Sequence, residues 1–258
     1  MIVISERING LFGSVSKAID RRDEQFIQNL AREQVTAGAD ILDINTGPGV
    51  EDPSGIMKWM VETVQDAVDI QLSIDTPNVQ AMEAGITAAK ETVLINSTTA
   101  EDAKMEKLFP LAKNHDSEII CLTLDERGIP NDANSRAELA MKMVANAMEF
   151  GISTDRMYLD PLVLPVGAAQ DQGLKVLEAL GMFKAIADPA PKTVVGLSNV
   201  SNNTKERPLL NRTYLVMLLA YGLDAAIMDP TDKELMEAAK AAEVLLNKRL
   251  YADDFLRV

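Results

Sequence analysis

Eight short apolar runs alternate along the chain with eight longer segments of helical period, and this rhythm constrains the fold more than any single motif. The runs are residues 2–5, 41–44, 72–74, 93–95, 119–124, 157–159, 193–197 and 225–228. Residues 23–37, 53–68, 78–84, 102–112, 133–150, 172–186, 208–221 and 232–246 carry the 3.6-residue period of amphipathic helices. Strands that are apolar throughout have both faces covered, which marks a parallel sheet flanked by helices. Eight such units predict a closed (β/α)8 TIM barrel, and a single domain over 1–258 suits a fold that takes about 250 residues. The alternative, an open doubly wound sheet, calls for a G-x-G-x-x-G turn after an early strand, and none follows Ser5, Ile44 or Ile74. The stretches "TAGADILDIN", "EFGISTDRMYLDP" and "AYGLDAAIMDP" repeat one plan: a Gly to end the helix, an apolar strand, and an Asp near the point where the strand stops.

Composition removes several function classes. The apolar runs stay far below the roughly 18 to 20 residues of a membrane span. The opening "MIVISE" enters a strand without the basic segment and apolar stretch of a secretory signal, so a cytoplasmic protein is expected. A net charge of −14 opposes nucleic acids and anionic membranes, whose phosphates are met by Lys and Arg. The one cysteine, Cys121, falls in an apolar run and is expected in strand core, and the one histidine, His115, falls in the polar "KNHDSE" and is expected at the surface. Neither an internal disulfide nor a His-built metal site can be assembled from them.

In a TIM barrel the site forms at the C-terminal ends of the strands. The residues there are Glu6 and Asn9, Asp43 and Asn45, Asp75, Asn96 and Ser97, Thr123 and Asp125, Asp160, Ser198 and Asn199, and Asp229. They are carboxylates, amides and hydroxyls, with Arg7 the cation beside them. No lysine stands in the register of a Schiff-base aldolase, and no Gly-rich turn follows strands seven and eight to hold a phosphate. A ring of this kind suits a flat, nitrogen-rich heterocycle, because a carboxylate accepts two parallel N–H bonds. A Mg²⁺ site is the competing reading, since hard cations use the same oxygens. A third is helix capping, for which Asp75 before Asn78, and Asp229 before Asp232, are well placed.

The segments "ISERINGLFG", "LDINTGPGV", "SIDTPN", "INSTTAE", "LDPLVLP", "DPAPKTVVGLSNVSNN" and "RPLLNRTYL" resemble the methyltetrahydrofolate:corrinoid protein methyltransferases over essentially the whole chain. More distantly the chain resembles the folate-binding domain of cobalamin-dependent methionine synthase and dihydropteroate synthase, both pterin-binding barrels. The resemblance implies a homodimeric barrel that binds tetrahydrofolate or 5-methyltetrahydrofolate at its mouth. It puts Asp75, Asn96 and Asp160 on the pterin ring, Asn199 at the pterin N5, and Gly196 and Ser198 beside it. A neighbouring Gln of the family is Asn202 here. Asp43 joins the ring contacts as a mouth carboxylate, and Lys205 and Arg207 are the cations available for the glutamate tail.

An amide is a suitable partner for N5, whose protonation changes during methyl transfer, because it both accepts and donates. Asp160 is the internal candidate for the proton if burial raises its pKa. No D-x-H-x-x-G cobalamin signature occurs, so the corrinoid is expected on a separate protein docking over the mouth, with loops 125–132 and 161–171 as docking surfaces. Dihydropteroate synthase, a non-catalytic folate-binding module and a metal-dependent aldolase are the alternatives. The first is disfavoured by the lack of Lys or Arg at the end of strand seven.

Overall fold

A computed structural model describes residues 1–252. It is a closed barrel of eight parallel strands in sequential order, β1 to β8, with β8 returning to pair with β1. In chain order the elements are β1 (Ile2–Asn9), α1 (Gly13–Arg21), α2 (Glu24–Thr36), β2 (Ile41–Asn45), α3 (Pro53–Gln65), β3 (Gln71–Asp75), α4 (Val79–Ala88), β4 (Leu94–Thr99) and α5 (Asp102–Asn114). The second half adds β5 (Glu118–Leu122), α6 (Ala133–Glu149), β6 (Met157–Asp160), α7 (Gln172–Phe183), β7 (Lys192–Gly196), α8 (Arg207–Ala220), β8 (Ala225–Met228) and α9 (Lys233–Leu245). The eight expected strands are all present. The helices among the described residues number nine rather than eight, the addition being α1. It has a short apolar face of Val15, Ala18 and Ile19, opens on Gly13 without a side-chain cap, and so gives little sequence signal.

Side-chain alternation sorts each strand into an outward and an inward set. Outward Leu42, Ile44, Ile74, Ile95, Ile119, Met157 and Leu159 pack with helical residues such as Ile27, Met57, Met60, Phe109 and Met143. Full burial of one such side chain contributes about 1.5–3 kcal/mol, so this shell holds the helices to the barrel. Inside, Ile4, Ile41, Leu94, Ile120, Tyr158, Val194 and Ala225 form a middle layer, one from every strand but β3. Two residues earlier on the strands come Glu118 and Lys192, which meet at 2.5 Å. Gln71 Nε2 donates to Glu118 Oε2 at 3.0 Å, and Lys192 lies 4.7 Å from the centre of the Tyr158 ring. This paired cluster closes the N-terminal end of the barrel. Lys192 is therefore an inward lysine, at the end opposite to the mouth.

The first two βα turns are tied together. Gly10 N donates to Asn45 O at 2.9 Å, and a Cβ on Gly10 would stand 2.2 Å from the Thr46 carbonyl oxygen, so no side chain fits there. Asn45, and with it the end of β2, is fixed as a consequence. Among the described residues no helix is long and apolar enough to cross a membrane.

Candidate active site

Two residues beyond the apolar middle layer, the same alternation puts Glu6, Asp43, Asn96, Leu122, Asp160, Gly196 and Ile227 on the inward face at the C-terminal ends of their strands. On β3, Asp75 takes the equivalent place. The helix caps are other residues: α4 is capped by Asn78, which accepts from Ala81 N at 3.0 Å, and α9 by Asp232, which accepts from Leu235 N at 3.1 Å. Asp75 is thereby left for the mouth. Asp229 has a different duty, accepting from Thr231 N at 2.9 Å and Thr231 Oγ1 at 2.7 Å. Arg7 points outward to Thr231 Oγ1 at 3.0 Å and Glu33 at 3.3 Å.

Three of the expected ring contacts, Asp43, Asp75 and Asn96, lie on adjacent strands in two hydrogen-bonded pairs. Asn96 Nδ2 donates to Asp43 Oδ1 at 3.1 Å, and Asn45 Nδ2 donates to Asp75 Oδ2 at 2.6 Å. Gly47 N donates to Asn45 Oδ1 at 2.7 Å, which fixes the Asn45 amide with its amino group toward Asp75. Burial, with the neighbouring Asp75 carboxyl adding to it, raises Asp43 well above the ordinary carboxylate range, and burial raises Asp75 as well. The two carboxyls stand on adjacent strands, where Asn45 pairs with Asp75 and Asp43 with Ser73, and each raises the cost of charging the site. With the Asn45 and Asn96 amides, the two carboxyls present both donors and acceptors at one edge of the mouth.

Asp160 stands apart on β6. Its Oδ1 accepts from Leu162 N at 2.7 Å, while burial pushes its pKa up to about 7, against the pull of that bond and of the Arg136 charge. The condition for its titrating near neutrality is met. Arg136 itself went unnoticed in the sequence. It is fully buried, donates to Gln172 Oε1 at 2.8 Å, and leaves Nε and Nη1 without an acceptor. The signal was its spacing: positions 136, 139, 140, 143 and 147 all lie on the buried face of α6.

The third group is the turn after β7, a 3-10 helix over Leu197–Ser201. Asn199 folds back so that a Cβ on Gly196 would stand 2.8 Å from Asn199 Nδ2. Asn202 Nδ2 donates to Asn199 Oδ1 at 3.4 Å, so the shorter residue reaches its neighbour. Ser198 Oγ donates to Glu6 Oε1 at 2.6 Å. Arg207 donates from Nε to Ser201 Oγ at 3.2 Å and from Nη2 to Asn202 Oδ1 at 3.4 Å, clamping the turn. Lys205 is exposed. On the β3–β5 side of the mouth an open cavity of about 470 Å³ runs out from Asp75 and Asn96 past Val79, Met82, Leu108, Leu122 and Leu124. Among the described residues no three His, Cys, Asp or Glu side chains gather in a way that would hold a metal ion.

Residues 6–229 match the family described as pterin binding enzyme. The chain belongs to that family. This pterin-binding enzyme is 34% identical over 253 residues to the methylcorrinoid:tetrahydrofolate methyltransferase of Eubacterium limosum, covering 97% of this chain and 93% of that one. It is 26% identical over 242 residues to the methionine synthase of Mycobacterium tuberculosis, of whose length it covers 20%. Among solved structures it superposes on a dihydropteroate synthase of Coxiella burnetii in complex with pteroic acid, with TM-score 0.69 and 15% identity over 96% of this chain and 94% of that one. A Yersinia pestis dihydropteroate synthase gives TM-score 0.70 at 16% identity over the same shares. At such identities the structural likeness speaks for the fold of this pterin-binding enzyme.

The remaining expectations divide in the same geometry. Cys121 is buried in β5, where burial raises its thiol far above the usual range, and His115 is exposed at the end of α5. Asp125 is bound by Arg127, whose Nη2 donates to Asp125 Oδ2 at 2.7 Å outside the inward ring.

Proposed function

We propose that this enzyme moves a methyl group between N5 of tetrahydrofolate and the cobalt of a corrinoid carried by a separate protein. The observation that carries the reading is the pairing of a carboxyl and amide group on β2, β3 and β4 with an amide on the turn after β7. Asp75 and Asp160 would take the N–H donors of the aminopyrimidinone edge, with Asn96 and Asp43 supplying mixed donors and acceptors. Asn199 would meet N5 at the other edge, Gly196 and Ser198 lining its approach and Asn202 holding its oxygen. The E. limosum relative bears the name of this reaction and spans the chain.

A methyl group on a tertiary amine is a poor electrophile because the departing amine anion is unstable, and charge development at N5 lowers that barrier. The cobalt of the partner's corrinoid supplies or accepts the methyl, so no protein nucleophile is called for. The Asn199 amide can accept from a protonated N5 or donate to its lone pair, and so serves both directions of transfer. A hydrogen bond to a charged group is worth about 1.5–3 kcal/mol. Asn199→Ala is accordingly expected to lower kcat/KM by about 10- to 100-fold. The test is methyl transfer from methylcob(III)alamin to tetrahydrofolate, followed by the absorbance of the corrinoid. Native-like turnover by the variant removes Asn199 from the mechanism, and no transfer by the native enzyme removes the function.

Lys205 and Arg207 lie on the Asn199 side, where the p-aminobenzoyl-glutamate tail leaves C6 of the pterin. Loops 125–132 and 161–171 follow β5 and β6 at the mouth end and offer the docking surface for the corrinoid protein. A homodimer is supported by exposed apolar side chains on three neighbouring helices: Met141 and Met148 on α6, Leu174 and Met182 on α7, and Leu209, Val216, Met217 and Tyr221 on α8. Sedimentation velocity is expected to give twice the 28.1 kDa chain mass, whereas a 28.1 kDa particle would remove the dimer. A cytoplasmic location accords with the lack of any membrane-crossing helix among the described residues.

A further inference from the structure

Glu6 enters the mouth from a quarter that the folate contacts leave uncovered. Strand β1 lies between β2 and β8, and Glu6 follows Ile4 by two residues on its inward face. From there its carboxyl reaches past β8 to the turn after β7, where Ser198 Oγ, one residue before Asn199, donates to Oε1 at 2.6 Å. The groups facing it are Asp43 on β2, Asp229 after β8, Arg207 at the start of α8 and Ser198. Burial raises its carboxyl above the ordinary range, the like charge of Asp229 adds to this, and the Ser198 bond and Arg207 charge oppose it. A half-buried carboxyl, raised above its ordinary range, is thus tied to the segment that carries Asn199.

The shape of a reduced pterin decides which acid can reach N5. The aminopyrimidinone donors and N5 lie at opposite edges of the fused rings. A ring whose donors rest on Asp75 and Asn96 turns N5 toward β7, β8 and β1. Asp160 stands on β6 with one carboxylate oxygen already held by Leu162 N at 2.7 Å. Among the described residues, Glu6 is the carboxyl bonded to the Asn199 turn.

We propose that Glu6, rather than Asp160, carries the proton that N5 takes up when its methyl leaves. The N5–CH3 bond breaks and its electron pair stays on N5, which receives the proton of the Glu6 carboxyl. The new bond to the methyl is made with the electron pair of cobalt(I), oxidised thereby to the methylcobalt(III) level. The Glu6 carboxylate regains its proton from solvent, and in the reverse direction it takes the proton from N5. The inference rests on the methyl-transfer reading of the site.

Single-turnover transfer between methylcob(III)alamin and tetrahydrofolate is measured in both directions from pH 5 to 9, with tetrahydrofolate binding followed by calorimetry. Glu6→Gln is expected to bind tetrahydrofolate within about threefold of the native enzyme, to transfer about 100-fold more slowly, as loss of a general acid implies, and to lose one limb of the pH profile. Asp160→Asn keeps that limb. Native rates and an unaltered profile in Glu6→Gln overturn the assignment. If that variant does not fold, Glu6→Asp decides: its shortened side chain is expected to slow transfer while keeping the limb, and native rates overturn the proposal. Native enzyme that binds tetrahydrofolate but transfers no methyl in either direction refutes the methyl-transfer reading instead.

Discussion

Asp160→Asn is expected to give a protein that is more stable above neutral pH and much worse at holding tetrahydrofolate. The sign follows from the environment of the carboxyl. Burial raises Asp160 from an ordinary value near 4 to about 7, so the folded chain binds its proton more tightly than the unfolded chain does. Nothing is lost while the group is protonated in both states. As pH rises through the window from about 4 to about 7, the unfolded chain releases the proton first and folding becomes less favourable, by on the order of 4 kcal/mol once both states are ionised. Asparagine keeps the acceptor that Leu162 N uses and has no charge to bury. Urea unfolding should show native and variant alike at pH 4 and the variant ahead by a few kcal/mol at pH 8. Equal stability at pH 8 would mean that Asp160 is not strained.

The same ionised carboxylate is what a pterin N–H would seek. Native enzyme should therefore bind tetrahydrofolate more tightly as pH rises through about 7, with release of a proton, and the variant should lose about 100-fold in affinity and the pH dependence with it. Calorimetry in buffers of different ionisation enthalpy reads both. The instability of the empty site is then the counterpart of its affinity for the ring.

Gly196→Ala is expected to leave the fold intact and to lower methyl transfer about 100-fold. The backbone at Gly196, φ −76° and ψ 91°, suits any residue, and alanine there restricts the unfolded chain. The added carbon has one close neighbour, Asn199 Nδ2 at 2.8 Å, with the next at 3.7 Å. The amide must swing away, since an approach this short is repulsive. Thermal unfolding within a few degrees of the native value, together with the loss of transfer, would place the effect on Asn199. Full activity would show that the amide need not lie over Gly196.

The fold was legible because its signal is periodic and repeated. Each apolar run became a strand, and the displacements at the ends have causes. β4 runs on to Thr99 through "NSTT", whose polar side chains hid it, and its pairing with β5 shifts register between Ile95 and Thr98. β1 continues to Asn9 across a similar shift between Ser5 and Ile8. β5 spans Glu118–Leu122 rather than 119–124, and β7 begins at Lys192, because the inward charges Glu118 and Lys192 neutralise each other at the closed end. A charge that is buried only because its partner comes from a strand 74 residues away leaves no local trace.

The site was legible in its inventory and less so in its grouping. Asp43, Asp75 and Asn96 gather because strand neighbours put them side by side, Asp75 standing opposite Asn96 in the β3–β4 register. The role of Asn45 in orienting Asp75 comes from the Gly47 turn, and the reach of Glu6 to Ser198 comes from barrel closure. Neither can be read from spacing along the chain.

The most direct test of the account is a crystal structure of the enzyme with 5-methyltetrahydrofolate. The aminopyrimidinone edge should lie on Asp75, Asn96 and Asp160, with N5 within hydrogen-bonding distance of the Asn199 amide. A ring bound with its edges reversed, or anywhere but the C-terminal mouth of the barrel, would contradict it.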